Sequence, residues 1–317
     1  MIAIYDLIII GAGAAGCSSA IYATRYALKT LLIAGAMPGG LITEALEVEN
    51  YPGFLNIKGI DLANNFLGHA KALGVEYLPD TVVSIKKNYS PSKQSFLTTT
   101  SPGKIFESKA VILAMGTNHR KLNIPGEKEF EGKGVSYCAT CDAPFFKNKT
   151  VAVIGGGNSA VEGAQDVAVH ASKVYLIYRS ELKADPLYIE NLKENKKIVE
   201  IANTNILKIG GKKSVQYVQL DKEYNGGNNL SVDGVFVQAG YIPANELAKS
   251  LGCELTSYGF VKVNAAMQTS LPEIFCAGDL NNGSNQMHQQ VTSASEGAIA
   301  AQGVFRHLRG MKTVIKS

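Results

Sequence analysis

At 317 residues, with 46% hydrophobic residues and a net charge of +4, the chain has the size of about two globular domains, each long enough to bury its own core. The Lys and Arg residues are scattered, which excludes the clustered basic face of a nucleic-acid binder. Its five cysteines, Cys17, Cys138, Cys141, Cys253 and Cys276, are odd in number and, one pair apart, widely spaced, which excludes a secreted disulfide scaffold. The apolar run Leu7–Ile10 is too short for a signal peptide and no stretch is long and apolar enough to span a bilayer, so a soluble cytoplasmic protein is expected, with no membrane partner.

Taken in order, Tyr5–Ile10 is a short, continuously apolar run, the mark of a central parallel strand. Gly11-Ala12-Gly13-Ala14-Ala15-Gly16 follows at once, then a helix-compatible stretch over Cys17–Tyr26 and a second strand at Leu31–Ala34. Strand, GxGxxG, helix and strand in about thirty residues make a dinucleotide-binding βαβ unit. Its glycines let the backbone turn sharply and approach a pyrophosphate, and the helix N-terminus faces that phosphate with N–H groups and positive dipole. Such units often end their second strand with an acid for a ribose hydroxyl, yet Ala34-Gly35-Ala36-Met37-Pro38-Gly39-Gly40 holds no carboxylate. Gly39–Gly53 reads as a ligand-binding loop, Asp61–Leu73 as a helix capped by Gly74, and Val75–Ile105 as short antiparallel strands. Ala110–Ala114 reads as another buried strand, ending at Met115-Gly116-Thr117.

A second unit repeats this pattern. Thr150–Ile154 is a strand, Gly155-Gly156-Gly157-Asn158-Ser159-Ala160 a GxGxxA turn, Val161–His170 a helix and Lys173–Tyr178 a strand. Asn191–Val199 reads as a charged helix, Thr204–Gln219 as strands, Asn225–Asn229 as a hairpin turn and Val235–Val237 as a strand. Ile274–Asp279 is a strand ending in Gly-Asp, and Gln290–Leu308 a long helix rich in small residues. The composition after Ala244 returns to that of the first unit. An α/β fold is therefore expected in which a second nucleotide-binding domain, 118–244, is inserted into a first one made of 1–117 and 245–317.

Between the two glycine turns lies Tyr137-Cys138-Ala139-Thr140-Cys141-Asp142. Two cysteines at this spacing can close a small redox disulfide or hold half of a zinc site. Zinc needs four ligands as a rule, and neither a second CxxC nor a nearby histidine completes a set, so no metal is expected. A redox pair between two nucleotide turns points to electrons passed in series.

Together, GAGAAG at Gly11, GGLITEALEVENYPG at Gly39–Gly53, AMGT at Ala114, SYCATCDAPFF at Ser136–Phe146, GGGNSAVE at Gly155–Glu162 and CAGD at Cys276–Asp279 resemble the low-molecular-weight thioredoxin reductases. The likeness covers nearly the whole chain, and CATCD inside the second nucleotide domain is its most specific part. The resemblance implies two Rossmann-like three-layer domains, FAD in the outer one and NADPH or NADH in the inner one. It implies FAD contacts from Gly11, Gly13, Ala14, Ala15, Gly16, Gly35, Gly39, Gly40, Leu41, Asn50, Val83, Ala114, Gly116, Gly278, Asp279, Gln289, Gln290 and Val291. Asp279 would accept hydrogen bonds from the ribityl chain. Gly155, Gly157, Asn158, Ser159, Ala160 and Arg179 would hold the nicotinamide nucleotide. Cys141 would be the flavin-proximal sulfur, Cys138 the nucleophile toward thioredoxin or a similar redox protein, and Asp142 the acid/base, which requires a carboxyl raised by burial. The resemblance also implies a homodimer and an inner domain that rotates about its two crossings.

The chain departs from the family at two places. The basic cluster that serves NADPH is reduced to Arg179, with Lys183 near it, so NADPH, NADH and ferredoxin all stand as donors. The family's Arg-Gln before the last helix is Gln289-Gln290 here. A flavin dithiol oxidase and a non-catalytic nucleotide binder with a structural CxxC are the other readings.

Overall fold

The structure, a computed structural model, describes residues 4–35, 38–45, 47–90, 93–101 and 103–311. It divides into two compact units, Met1–Asn118 with Pro243–Ser317, and His119–Ile242.

In unit 1, β1 (Ile4–Ile10), α1 (Ala14–Arg25), β2 (Thr30–Ala34), α2 (Gly59–Ala72) and β3 (Glu76–Pro79) lead into β4 (Thr81–Ser90), β5 (Lys93–Ser101) and β6 (Ile105–Leu113). The sheet order is β3-β2-β1-β6-β5-β4. β1, β2 and β3 run parallel, because α2 carries the chain back along the sheet before β3 starts. Residues 76–79 are thus a parallel strand, where a short antiparallel one was expected. β4 and β5 do pair antiparallel, and β5 pairs antiparallel with the first half of β6. The second half of β6 is buried and runs parallel to β1. Leu7, Ile8, Ile9 and Ile112 are fully buried, as strands covered on both faces require.

Unit 2 lies between the two crossings, β7 (Thr117–His119) and, later, β16 (Tyr241–Pro243), which pair with one another. Inside it run β8 (Val135–Ser136), α3 (Ala139–Asp142), β9 (Thr150–Ile154), α4 (Asn158–His170), β10 (Lys173–Ile177), α5 (Pro186–Glu194), β11 (Ile198–Ile201), β12 (Ile206–Gly211), β13 (Val215–Tyr224), β14 (Gly227–Ser231) and β15 (Gly234–Val237). Its main sheet, β11-β10-β9-β15-β8, is parallel, and β12-β13-β14 form a separate antiparallel sheet. Asn225 and Gly226 both take positive φ, +49° and +89°, as the tight hairpin turn between β13 and β14 demands.

The expected helix over 191–199 is displaced. Pro186 sits in the first turn of α5, where its missing N–H costs nothing, and the helix ends at Glu194. Ile198–Ile201 instead joins β10 as a parallel edge strand. The charged run suggested one helix, but its apolar end, with Ile198, Val199 and Ile201, is drawn into the sheet.

Unit 1 resumes with α6 (Glu246–Leu251), β17 (Ile274–Cys276) and α7 (Gln290–Leu308). β17 pairs parallel with the second half of β6, so the parallel part of the sheet reads β3-β2-β1-β6-β17. α7 packs closely on α1: a Cβ at Gly297 would stand 2.1 Å from Ala15 O, and Ser19 Oγ donates to the Gly297 carbonyl. Among the described residues no helix is long and apolar enough to cross a membrane.

Candidate active site

In unit 1 the carboxyl ends of the parallel strands open into a cavity of about 300 Å3. Its glycines divide into two kinds. Gly11 has φ +106°, and a Cβ there would meet Ala114 O at 2.2 Å, while a Cβ at Gly16 would meet Gly11 O at 1.8 Å. The fold itself requires both. Gly13 is different: its φ is −78°, and a Cβ would meet only Gly39 O at 3.4 Å, an ordinary contact. Packing leaves that position free to carry a side chain, yet it is bare where it faces the cavity, at the N-cap of α1. The first turn of α1 has no acidic residue and no side-chain cap, so its N–H groups face the cavity free for an anion. No Lys or Arg is among the described residues lining the cavity, so a pyrophosphate there would rest on backbone and helix dipole. These features fit a dinucleotide.

Of the expected contacts, Gly11, Gly13, Ala14, Ala15, Gly35, Gly39, Gly40, Leu41, Ala114, Gly116, Gly278, Asp279 and Gln290 line this cavity. Gly16 is buried beneath it against Gly11. Asn50, Val83, Gln289 and Val291 lie outside the lining. Asn50 Nδ2 donates to Gln289 Oε1 at 3.1 Å, and Gln289 is the N-cap of α7. Val83 is 55% exposed and lies outside the lining, which takes its neighbours Thr81 and Val82 instead. Asp80, Thr81, Thr117 and Ser293 also line it and were not expected. Ala36 and Met37, part of the stretch read as lacking an acid, lie outside the described residues. His288 is exposed, its ring 5.3 Å from that of Phe260.

Asp279 follows β17 in a turn held from α7. Ser293 Oγ donates to Asp279 Oδ1 at 2.8 Å. The buried Glu296 accepts the Gly278 N–H at 2.8 Å and an Asn281 Nδ2 hydrogen at 2.7 Å. Sequence reading missed Ser293 and Glu296, although their spacing of three places both on one face of α7. Burial raises the Asp279 carboxyl above its ordinary value, against the pull of the Ser293 hydrogen bond and of His288. The folded group thus holds its proton more tightly than the unfolded one. Below the unfolded value of 3.8 both states are protonated and the group contributes nothing. As pH rises through the raised folded value, the buried charge destabilises the flavin-free protein. Asp279→Asn should therefore raise the melting temperature of apoprotein near pH 8 by about 2–4 °C, for roughly 1 kcal/mol, and the gain should vanish toward about pH 4. A gain equal at both pH values would remove ionisation as its cause.

In unit 2, Cys138 and Cys141 form a disulfide with Cα atoms 5.3 Å apart. Cys138 is the N-cap of α3, and its Sγ accepts the Cys141 N–H at 3.1 Å. Cys138 is half-buried and Cys141 exposed. The surrounding loop is pinned on both sides. Gln238 Nε2 donates to Tyr137 O at 2.9 Å, Tyr137 OH donates to the buried Glu127 at 2.9 Å, and Thr140 Oγ1 donates to Asp166 of α4 at 3.0 Å. Ala139 packs on Gly163 of α4, where a Cβ would come within 3.1 Å. Asp142 is half-buried and lines a second cavity of about 440 Å3 with Lys149, Asp233 and the 80%-exposed Phe145. The three other cysteines are buried and unpaired, and burial drives their thiols upward, Cys17 to about 12. They are inert by that measure. Among the described residues no cluster of His, Cys, Asp or Glu could hold a metal ion.

The inner glycine turn repeats the outer one. Gly155, at φ +146°, is required by the fold, since a Cβ would meet Gln238 O at 2.0 Å, whereas Gly157, the N-cap of α4, faces open space. Asn158 and Asp185 bond reciprocally, Nδ2 to Oδ2 at 3.0 Å and the Asp185 N–H to Oδ1 at 2.8 Å. Ser159 Oγ lies 3.4 Å from Tyr241 OH, and Ala160 is buried. Arg179 is exposed just beyond β10.

Comparison with known proteins agrees with this geometry. Residues 5–298 match the pyridine nucleotide-disulphide oxidoreductase family. A thioredoxin reductase of Listeria innocua is 37% identical over 99% of this chain and 97% of its own. One of Bacillus subtilis is 36% identical over 99% and 98%. The crystal structure of Lactococcus lactis thioredoxin reductase matches with a TM-score of 0.90 at 34% identity, covering 97% of this chain and 100% of that one. With its two glycine turns and its closed Cys138–Cys141 pair, the chain belongs to the pyridine nucleotide-disulphide oxidoreductase family, among the thioredoxin reductases.

Proposed function

We propose that the chain reduces the disulfide of thioredoxin, or of a similar small redox protein, with electrons from a reduced nicotinamide. The observation that carries this is the Cys138–Cys141 disulfide, carried on α3, which packs on α4 of the unit that also bears the second nucleotide turn. Bound FAD supplies the two-electron chemistry between nicotinamide and disulfide. Unit 1 would be its seat: the α1 N-terminus with Gly13, Ala14 and Ala15 would hold the pyrophosphate, Gly40, Leu41 and Gln290 would lie along the flavin, and Asp279 would accept from the ribityl hydroxyls. Unit 2 takes the nicotinamide nucleotide on Gly155, Gly157, Asn158, Ser159, Ala160 and Arg179.

The chain's own residues then perform thiol–disulfide exchange. In the reduced pair, the Cys141 N–H favours negative charge on the Cys138 sulfur. The Cys138 thiolate attacks one sulfur of the partner's disulfide, forming a mixed disulfide and releasing the partner's other sulfur, which takes a proton. Asp142 is the group beside the pair proposed to hold and move that proton. Cys141 then attacks Cys138, the internal disulfide closes again, and the partner leaves with two thiols. Rotation of unit 2 about the two crossings would present disulfide and nicotinamide in turn. Gly116 and Gly240, at φ +65° and +93° with open space beside them, suit such hinges.

Anaerobic titration of the purified protein with NADPH, NADH and reduced ferredoxin tests the donor. A flavin bleached by NADPH supports Arg179 as a 2′-phosphate contact. Arg179→Ala should then raise KM for NADPH about 10-fold and leave KM for NADH unchanged. A flavin bleached by ferredoxin alone would remove the nicotinamide, and a protein that stays colourless with FAD would sink the reading. The family resemblance supports a homodimer, which sedimentation at several protein concentrations tests.

A further inference from the structure

A βαβ dinucleotide unit commonly ends its second strand with an acid that accepts from the adenosine ribose. Here β2 ends at Ala34, with Gly35 next, and neither has a carboxylate. The register of the sheet shows what stands beside that gap. Ala34 pairs with Pro79, the last residue of β3, so the next residue, Asp80, emerges beside Gly35. Asp80 and Gly35 both line the cavity. Thr81 closes the same corner, its Oγ1 lying 3.4 Å from where a Gly35 Cβ would be.

The sheet order then assigns Asp80 to one end of the ligand. Asp80 and Asp279 are the only charged side chains among the described residues lining the cavity. In the order β3-β2-β1-β6-β17, Asp80 follows β3 and Asp279 follows β17. The phosphate turn after β1 lies midway, two strand spacings or about 10 Å from each. A dinucleotide centred on that turn, with Asp279 at its ribityl side, has its adenosine side toward Asp80.

The carboxylate has capacity to spare. Its Oδ1 accepts the Thr81 N–H at 2.8 Å and its Oδ2 the Thr100 hydroxyl at 3.0 Å. Each oxygen keeps a second lone pair, and the group is only half-buried. The two existing bonds orient it, and two acceptor sites remain for a vicinal diol.

On the reading that unit 1 holds FAD, we infer that Asp80, supplied by the third strand, takes the place of the missing second-strand acid and accepts hydrogen bonds from the adenosine ribose hydroxyls. The device moves the acid one strand across the sheet without moving the ligand. It also accounts for Ala34 at the end of a strand where such units commonly carry a carboxylate.

Binding to flavin-free protein, followed by calorimetry, tests this. Asp80→Asn should weaken FAD by roughly 10- to 100-fold, the size of a hydrogen bond to a charged group. It should leave FMN, which has no adenosine, unchanged. Ala34→Glu in the Asp80→Asn protein should restore FAD affinity, which a purely structural role for Asp80 would not allow. An FAD analogue whose adenosine ribose lacks both hydroxyls should bind the unaltered protein as weakly as FAD binds the Asp80→Asn protein, so the test survives if that variant folds poorly. Unaltered protein that binds no FAD would overturn the seat of the flavin itself. An Asp80→Asn protein that binds FAD as tightly as the unaltered one, or unaltered protein that does not distinguish the analogue from FAD, would overturn the role of Asp80 alone.

Discussion

Cys138→Ser should lower turnover of a protein disulfide by about 1000-fold or more while leaving reduction of bound flavin by the nicotinamide intact. The thiolate is the nucleophile of exchange, and a serine hydroxyl at neutral pH is not a substitute. The neighbouring change separates the two sulfurs. Cys141→Ser keeps the attacking sulfur and removes the one that resolves the mixed disulfide, so the partner should remain covalently attached to Cys138. Mass spectrometry after mixing with oxidised thioredoxin reads this directly. Attachment through Cys141 in the Cys138→Ser protein would reverse the assignment. Loss of flavin reduction along with turnover in Cys138→Ser would contradict electron flow in series. The Cys141 N–H, 3.1 Å from Cys138 Sγ, would favour a thiolate there, while Cys141 is the more exposed of the two, so the experiment decides between them.

The second large effect separates glycines that serve the fold from those that serve the ligand. Gly16→Ala would drive a Cβ to 1.8 Å from the Gly11 carbonyl oxygen in the interior beneath α1, so about 3 kcal/mol or more of stability should be lost. Gly13→Ala adds a methyl with nothing nearer than Gly39 O at 3.4 Å, so the flavin-free protein should melt within a few degrees of the unaltered one, a change of about 1 kcal/mol at most. The methyl would stand where the pyrophosphate approaches the N-terminus of α1, and FAD affinity should fall about 100-fold. Thermal melts of both apoproteins, with FAD titration of Gly13→Ala, check the pair. Equal destabilisation by the two changes, or unchanged FAD affinity in Gly13→Ala, would show that the cavity is not the pyrophosphate seat.

Several elements were legible from local pattern alone. Gln290–Leu308 is the helix that its run of small residues suggested, and both glycine turns sit between strand and helix as expected. The redox pair was legible because the spacing of two cysteines is a local property, and a ring of that size closes within one turn of backbone. Where sequence and structure part, the deciding partner is distant in the chain. Ile198–Ile201 becomes a strand because β10 offers it an edge. Residues 76–79 run parallel because α2 returns the chain along the sheet. Thr81 and Val82 rather than Val83 line the cavity at the start of β4, whose register with β5 shifts between Val82 and Ser84.

The sequence by itself determined the chemistry of this protein: two nucleotide turns, a CxxC between them, and an inner unit inserted into an outer one. Each depends on residues close together along the chain, so short-range steric and hydrogen-bonding rules suffice to read it. Tertiary structure decided which side chains meet around the ligand. The absence of an acid after β2 read as a deficit along the chain, and only the pairing of Ala34 with Pro79 brings Asp80 beside it. Likewise, Ser293 and Glu296 come to the Asp279 turn only because α7 packs against the end of β17. Such contacts are fixed by register and packing between elements, and these are set by burial of the whole core rather than by any one stretch of sequence.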